Sequence, residues 1–166
     1  YCAFYSEPAD GETVRLYLQA LRQELSAWDT FFGGRPAVET LYIGGGTPTF
    51  LNVADWESLI EILENGLSFS KGMEVSVEAN PDSLNEDHLR LWKTWRVNRV
   101  SLGIQSFSPG ILRWLGRLHD EKQAIEALER CAEYGFASSG DLIFGIPGQD
   151  LRLWHSDLRT LSGFVN

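Results

Sequence analysis

The sequence predicts an α/β protein in which parallel strands alternate with helices. Three observations carry that prediction. Four short apolar runs rich in β-branched residues, at 40–43, 73–77, 99–104 and 141–144, are too short for helices and read as strands. Longer amphipathic segments separate them. Each run ends in Gly, Pro or polar residues that packing alone would not choose. Four strand–helix repeats imply right-handed crossovers and a parallel sheet. A doubly wound sheet and an α/β barrel both fit. A barrel needs more strands than the chain supplies, and the first residue is Tyr1 rather than Met. Both features make a piece of a longer protein the expectation, with residues 1–166 forming one domain.

The helices follow from 3.6-residue spacing. Val14, Tyr17, Leu18, Leu21, Leu25 and Trp28 share one face, as do Trp56, Leu59, Ile60, Leu63 and Leu67. Asn85 is placed to cap a helix through Leu89 and Trp92. Asp120 and Gln123 resemble a capping box for the run Ile125, Leu128 and Ala132, which Gly135 would close. Leu151, Trp154, Leu158 and Leu161 suggest a last helix. The strands lack clean polar alternation, so both faces are expected to be covered.

The net charge is −9, and the Lys and Arg residues are scattered along the chain. A nucleic-acid or acidic-membrane partner requires a concentrated positive field, so neither is expected. No apolar run approaches the roughly 20 residues of a membrane span. Cys2 and Cys131 give no disulfide framework, and a cytoplasmic setting follows by default.

In parallel α/β proteins ligands gather at the carboxyl ends of strands. Gly44-Gly45-Gly46-Thr47-Pro48-Thr49 follows the first strand, and three glycines let backbone groups approach an amino-acid head group or a phosphate. The loop lacks the Lys of a phosphate-binding P-loop; a plain turn is the alternative. Glu78 ends a strand expected to be buried, so its carboxylate calls for a cation, either a ligand ammonium or an internal ion pair. Gln105 suits a ribose hydroxyl or a carboxylate, or simply loop backbone. Arg117 would clamp a carboxylate, or sit solvated at a helix end. Asp141, read as the start of the fourth strand, is ambiguous alone. His88, His119 and His155 are too dispersed for a metal cage, and His119 in Gly116-Arg117-Leu118-His119 is the one to watch. Cys131 reads as a buried small hydrophobe.

Taken in order, Tyr1-Cys2-Ala3-Phe4-Tyr5-Ser6, Ile43-Gly44-Gly45-Gly46-Thr47-Pro48-Thr49, Glu78-Ala79-Asn80-Pro81, the segment 98–107, Leu115-Gly116-Arg117 and the segment 141–149 resemble the radical S-adenosylmethionine proteins of the anaerobic coproporphyrinogen III oxidase family. The resemblance implies a partial six-stranded (β/α) barrel of the TIM type, holding about its second to fifth strands. It also implies a 4Fe–4S cluster on a Cys-x₃-Cys-x₂-Cys loop, thiolates being the ligands such clusters require. Cys2 matches the third of those cysteines and would be a metal ligand. The backbone of Tyr1 would lie against S-adenosylmethionine, and Gly45, Gly46 and Thr47 would hold its methionyl amino end. Glu78, Gln105, Arg117 and Asp141 would contact that molecule or a second copy of it.

Tyr1-Cys2-Ala3-Phe4 and Glu78-Ala79-Asn80-Pro81 look more like the family's heme chaperone branch than its decarboxylating oxidases. The resemblance therefore implies a cluster- and heme-binding carrier that passes heme to an acceptor protein. An oxygen-independent coproporphyrinogen III oxidase, acting on a porphyrinogen through a 5′-deoxyadenosyl radical, is the alternative. A phosphate-binding barrel enzyme without a cluster is the reading outside the family. With one matching thiolate where three are needed, the chain alone is expected to be inactive.

Overall fold

The computed structural model describes residues 10–165. Four parallel strands alternate with helices, as the sequence predicts. The strand order is β1 (Ala37–Ile43), β2 (Ser68–Ala79), β3 (Arg99–Gln105) and β4 (Ala137–Leu142). The described residues divide into two compact units, 10–41 with 50–74, and 42–49 with 75–165.

The first unit pairs α1 (Gly11–Phe32) with α2 (Val53–Gly66). They approach closely at Gly66, where a Cβ would lie 2.7 Å from Leu25 Cδ1. Arg22 meets Glu61 across the pair at 3.3 Å. The stripe that α1 buries is narrow: Val14, Leu18 and Leu25. Tyr17 and Trp28, expected on that face, are 60% and 46% exposed. In α2 the core position goes to Ile62, while Ile60 is half-buried.

The second unit carries the tips of β1 and β2, all of β3 and β4, and the helices α3 (Glu86–Thr94), α4 (Pro109–Trp114), α5 (Glu121–Glu133) and α6 (Leu151–Ser162). β2, β3 and β4 pair in parallel, with Ala79 opposite Leu102 and Leu102 opposite Gly140. Asn98 fixes the start of β3, because its Oδ1 accepts from the Val75 N–H at 3.0 Å. Val100, Leu102 and Ile104 are fully buried while the residues between them are half-open. The expectation of two covered faces therefore fails for β3, whose second face opens on a cleft. α5 covers β3 and β4, burying Ala124, Ala127, Leu128 and Cys131.

Helix starts obey local side-chain chemistry. Asp10, Asn52, Asn85 and Asp150 each accept a backbone N–H three residues ahead, and Asp120 with Gln123 forms the expected capping box. β1 and β2 begin earlier than the expected runs at 40–43 and 73–77, and two further assignments change. α4 has no sequence counterpart, since six residues are too few to show a period. β4 occupies Ala137–Leu142 rather than 141–144, because it is built from Ser138, Ser139 and Gly140 instead of large apolar residues. Gly140 is required by closeness: a Cβ there would meet Leu161 Cδ1 at 2.6 Å and Ile104 Cδ1 at 2.9 Å. Asp141 consequently lies at the carboxyl end of β4, not at its start.

These helices have unequal stakes. Trp92, fully buried on α3, should cost about 3–5 kcal/mol when replaced by Ala, whereas Asp120→Ala should cost about 1 kcal/mol through the lost cap. Urea unfolding of the two variants checks the ranking.

Candidate functional site

The carboxyl ends of the strands in the second unit surround a cleft of about 260 Å³. Gly46, Thr47 and Pro48 line it after β1, Glu78 and Asn80 at the end of β2, Ser101, Gly103 and Gln105 along β3, Arg117 before α5, and Asp141 on β4. Six of the residues singled out by sequence, Gly46, Thr47, Glu78, Gln105, Arg117 and Asp141, thus meet in one place. Gly45 does not line the cleft but supports it. Tyr1 and Cys2 lie outside the described residues.

The three glycines do different work. Gly44 leaves room: a Cβ there would sit 2.8 Å from Glu78 Cδ. Gly45 and Gly46 supply left-handed backbone, with φ of 81° and 58°. That curl aims the Gly45 N–H at Glu78 Oε2, 3.0 Å away, while the Tyr42 hydroxyl donates to Oε1 at 2.5 Å. Glu78 is half-buried and held by neutral donors, not by the internal cation that sequence reasoning allowed. Its carboxylate in turn raises the Tyr42 hydroxyl to about 12, through the hydrogen bond first and burial second.

Opposite stands a cationic joint. Arg117 Nη2 donates to Asn80 Oδ1 and to the Gly103 carbonyl, both at 2.7 Å. Asn80 Nδ2 donates onward to Thr47 Oγ1 at 3.2 Å. The Arg117 Nε is buried and has no hydrogen-bond partner. Gly103 keeps this corner open, because a Cβ would fall 2.9 Å from Asn80 Oδ1 and 3.2 Å from Gln105 Nε2. Asp141 reaches solvent, yet partial burial and the Glu78 carboxylate raise its pKa against the opposing bond from Ser101. The cleft therefore presents carboxylates and a guanidinium together, which suits a zwitterion carrying an extra positive charge.

Sequence reasoning missed Tyr42, Asn80, Ser101 and Gly103 as site residues. Asn80 and Gly103 had a signal, being two residues from Glu78 and Gln105 and so on the same strand face. Tyr42 had none, since an aromatic ending an apolar run reads as core. His119 is buried and structural: its Nε2 donates to the Ile104 carbonyl at 3.0 Å. His88 is buried in α3 and His155 is exposed on α6.

The fold and this cleft define an α/β protein with a polar, charged cleft at its strand tips. The family model of the radical SAM superfamily matches residues 1–161, and the chain belongs to that family. It is 40% identical to the heme chaperone HemW of Bacillus subtilis, with 98% of this chain and 43% of that protein aligned. It is 37% identical to the oxygen-independent coproporphyrinogen III oxidase of Escherichia coli, over 80% of this chain and 29% of that one. The solved Escherichia coli coproporphyrinogen III oxidase, HemN, described as a radical SAM enzyme, superposes with a TM-score of 0.85 at 31% identity, covering 95% of this chain and 36% of that chain. The chain thus spans less than half the length of these relatives.

The family implies S-adenosylmethionine and a 4Fe–4S cluster. The cleft fits the first: the Arg117 guanidinium that lines it suits a carboxylate, and Glu78 with Asp141 suits the ammonium and sulfonium charges. The described residues do not fit the second. No three His, Cys, Asp or Glu residues among them stand together to hold a metal. Cys131 is buried in α5 with its thiol pushed up to about 12, so no thiolate is available there.

Burial, outweighing the bond to Ile104 and the charge of Asp82, holds the His119 pKa below its usual value. The folded ring is therefore neutral, and the unfolded chain takes up the proton first as pH falls through about 6.5. The unfolded state then binds more protons, so this contribution to stability is present above that pH and lost below it. Replacing His119 with Gln, which keeps a donor but cannot titrate, should flatten part of the slope. Unfolding free energies of both proteins at about pH 7.5 and 5.5 provide the check.

Proposed function

We propose that this chain is the S-adenosylmethionine-binding part of a heme chaperone. The observation that carries the reading is the convergence of Gly46, Thr47, Glu78, Gln105, Arg117 and Asp141 on one cleft at the strand tips. Thr47 and the glycine loop, with Glu78 behind them, hold the ligand's amino end. Arg117, which lines the cleft, binds its carboxylate. Gln105 and Asp141 take ribose hydroxyls or a second copy of the ligand. By the family resemblance Cys2 would be a ligand of the cluster, and the backbone of Tyr1 would lie against the bound molecule. When bound, S-adenosylmethionine supplies a sulfonium whose reductive cleavage yields a carbon radical. The protein's own residues bind it, orient it and restrict water.

Heme binding, transfer to an acceptor protein and a cytoplasmic location complete the proposal. Heme binding is supported by the relatives named heme chaperone HemW. No helix among the described residues is long and apolar enough to cross a membrane. The coproporphyrinogen III oxidase relatives favour a second reading, oxidative decarboxylation of coproporphyrinogen.

Calorimetric titration of the intact protein should show S-adenosylmethionine binding, and Arg117→Ala should weaken it about ten- to a hundredfold through loss of a charged hydrogen bond. Absence of binding by the wild type would overturn the reading. Heme retention without turnover of coproporphyrinogen supports the chaperone, and turnover supports the oxidase.

A further inference from the structure

Gln105 is the one non-glycine among the described residues with a left-handed backbone, at φ 68°. The Ser106 N–H donates to the Ile104 carbonyl at 2.9 Å, two residues back, so Gln105 is the centre of a tight γ-turn. That turn is rare and strained in L-residues, and such strain persists only where the surroundings over-determine it. Here the pairing of β3 with β4 also slips between Leu102 and Gln105.

Two groups from distant segments hold the turn. Asp157 on α6 is 2% exposed. Its Oδ2 accepts from the Ser106 hydroxyl at 2.6 Å and its Oδ1 from the Phe107 N–H at 3.0 Å. Ser106 Oγ also accepts the Ser108 N–H at 3.0 Å, so the hydroxyl is fully oriented. On the other side His119 Nε2 donates to the Ile104 carbonyl, the turn's own acceptor. A buried carboxylate whose two oxygens serve only to grip the residues after Gln105 has no simpler use than fixing the turn.

We infer that Asp157, seconded by His119, is a positioning residue that clamps the γ-turn and thereby holds the Gln105 side chain in the ligand cleft. This rests on the proposed S-adenosylmethionine reading for its functional consequence, though not for the clamp itself. Without Asp157 the strand tip relaxes toward ordinary extended backbone, and successive side chains of an extended strand point to opposite faces.

The test uses Asp157→Ala, Asp157→Asn and Gln105→Gly in the intact protein. Asp157→Ala should speed amide exchange at Ser106, whose own acceptor is untouched, by about tenfold while Val100 and Leu102 stay protected. It should weaken S-adenosylmethionine binding about tenfold in the wild-type background but less than about twofold when Gln105 is already Gly. Asp157→Asn, which can still accept from Phe107 and donate to Ser106, should retain most of both properties. Should Asp157→Ala not fold, Ser106→Ala, which removes the hydroxyl that Asp157 grips, carries the same comparisons, with Asp157→Asn as the conservative control. Unchanged Ser106 exchange, or equal losses of affinity in both backgrounds, overturns the inference. A wild type that binds no S-adenosylmethionine overturns the proposed function instead, and the exchange measurement then decides the clamp by itself.

Discussion

One guanidinium holds the site together. Arg117 bridges the end of β2, through Asn80, to the backbone of β3, through Gly103, and Asn80 passes the connection on to Thr47 after β1. Parallel strands are hydrogen-bonded along their length, but their tips leave the ladder and must be fixed by something else. A planar group with several donors in fixed geometry does that better than a flexible ammonium. The joint uses one nitrogen of Arg117 for two acceptors, and the buried Nε makes no hydrogen bond. The same side chain braces the strand tips and lines the cleft.

The opposite wall works by the reverse logic. Glu78 accepts from a hydroxyl and a backbone N–H, which orient its carboxylate without neutralising its charge. Negative charge facing a cleft is tolerable when donors replace the lost water. The neighbouring Asp141 feels that charge directly. The wall therefore favours a positively charged visitor while the guanidinium corner anchors a negative one, and a ligand with both is read from two sides.

How much of this the sequence disclosed depended on what each residue type advertises. Gly45-Gly46 and Glu78-Ala79-Asn80-Pro81 stood out because neither glycine runs nor strand-end carboxylates serve packing, and the structure brings them to one rim. β4 was displaced because Ser138, Ser139 and Gly140 carry no apolar period; pairing with β3 makes them a strand, Gly140 fits against Ile104 and Leu161, and the Ser139 hydroxyl reaches Ser101. Tyr17 and Trp28 misled in the other direction, as helical spacing marks a face without saying how wide a stripe the neighbour will cover. Asp157 was invisible: an acid inside an amphipathic helix reads as solvent-facing until its partners, about fifty residues earlier in the chain, are located.

That separation bears on the order in which the molecule becomes competent. Local contacts form early, and those closing long loops wait for the chain between them. β3 can pair with β2 as soon as both exist, but its tip is gripped only when α6 arrives to deliver its carboxylate. A nascent chain that has not yet presented α6 lacks the carboxylate that grips Ser106 and Phe107, and so carries an unfinished rim.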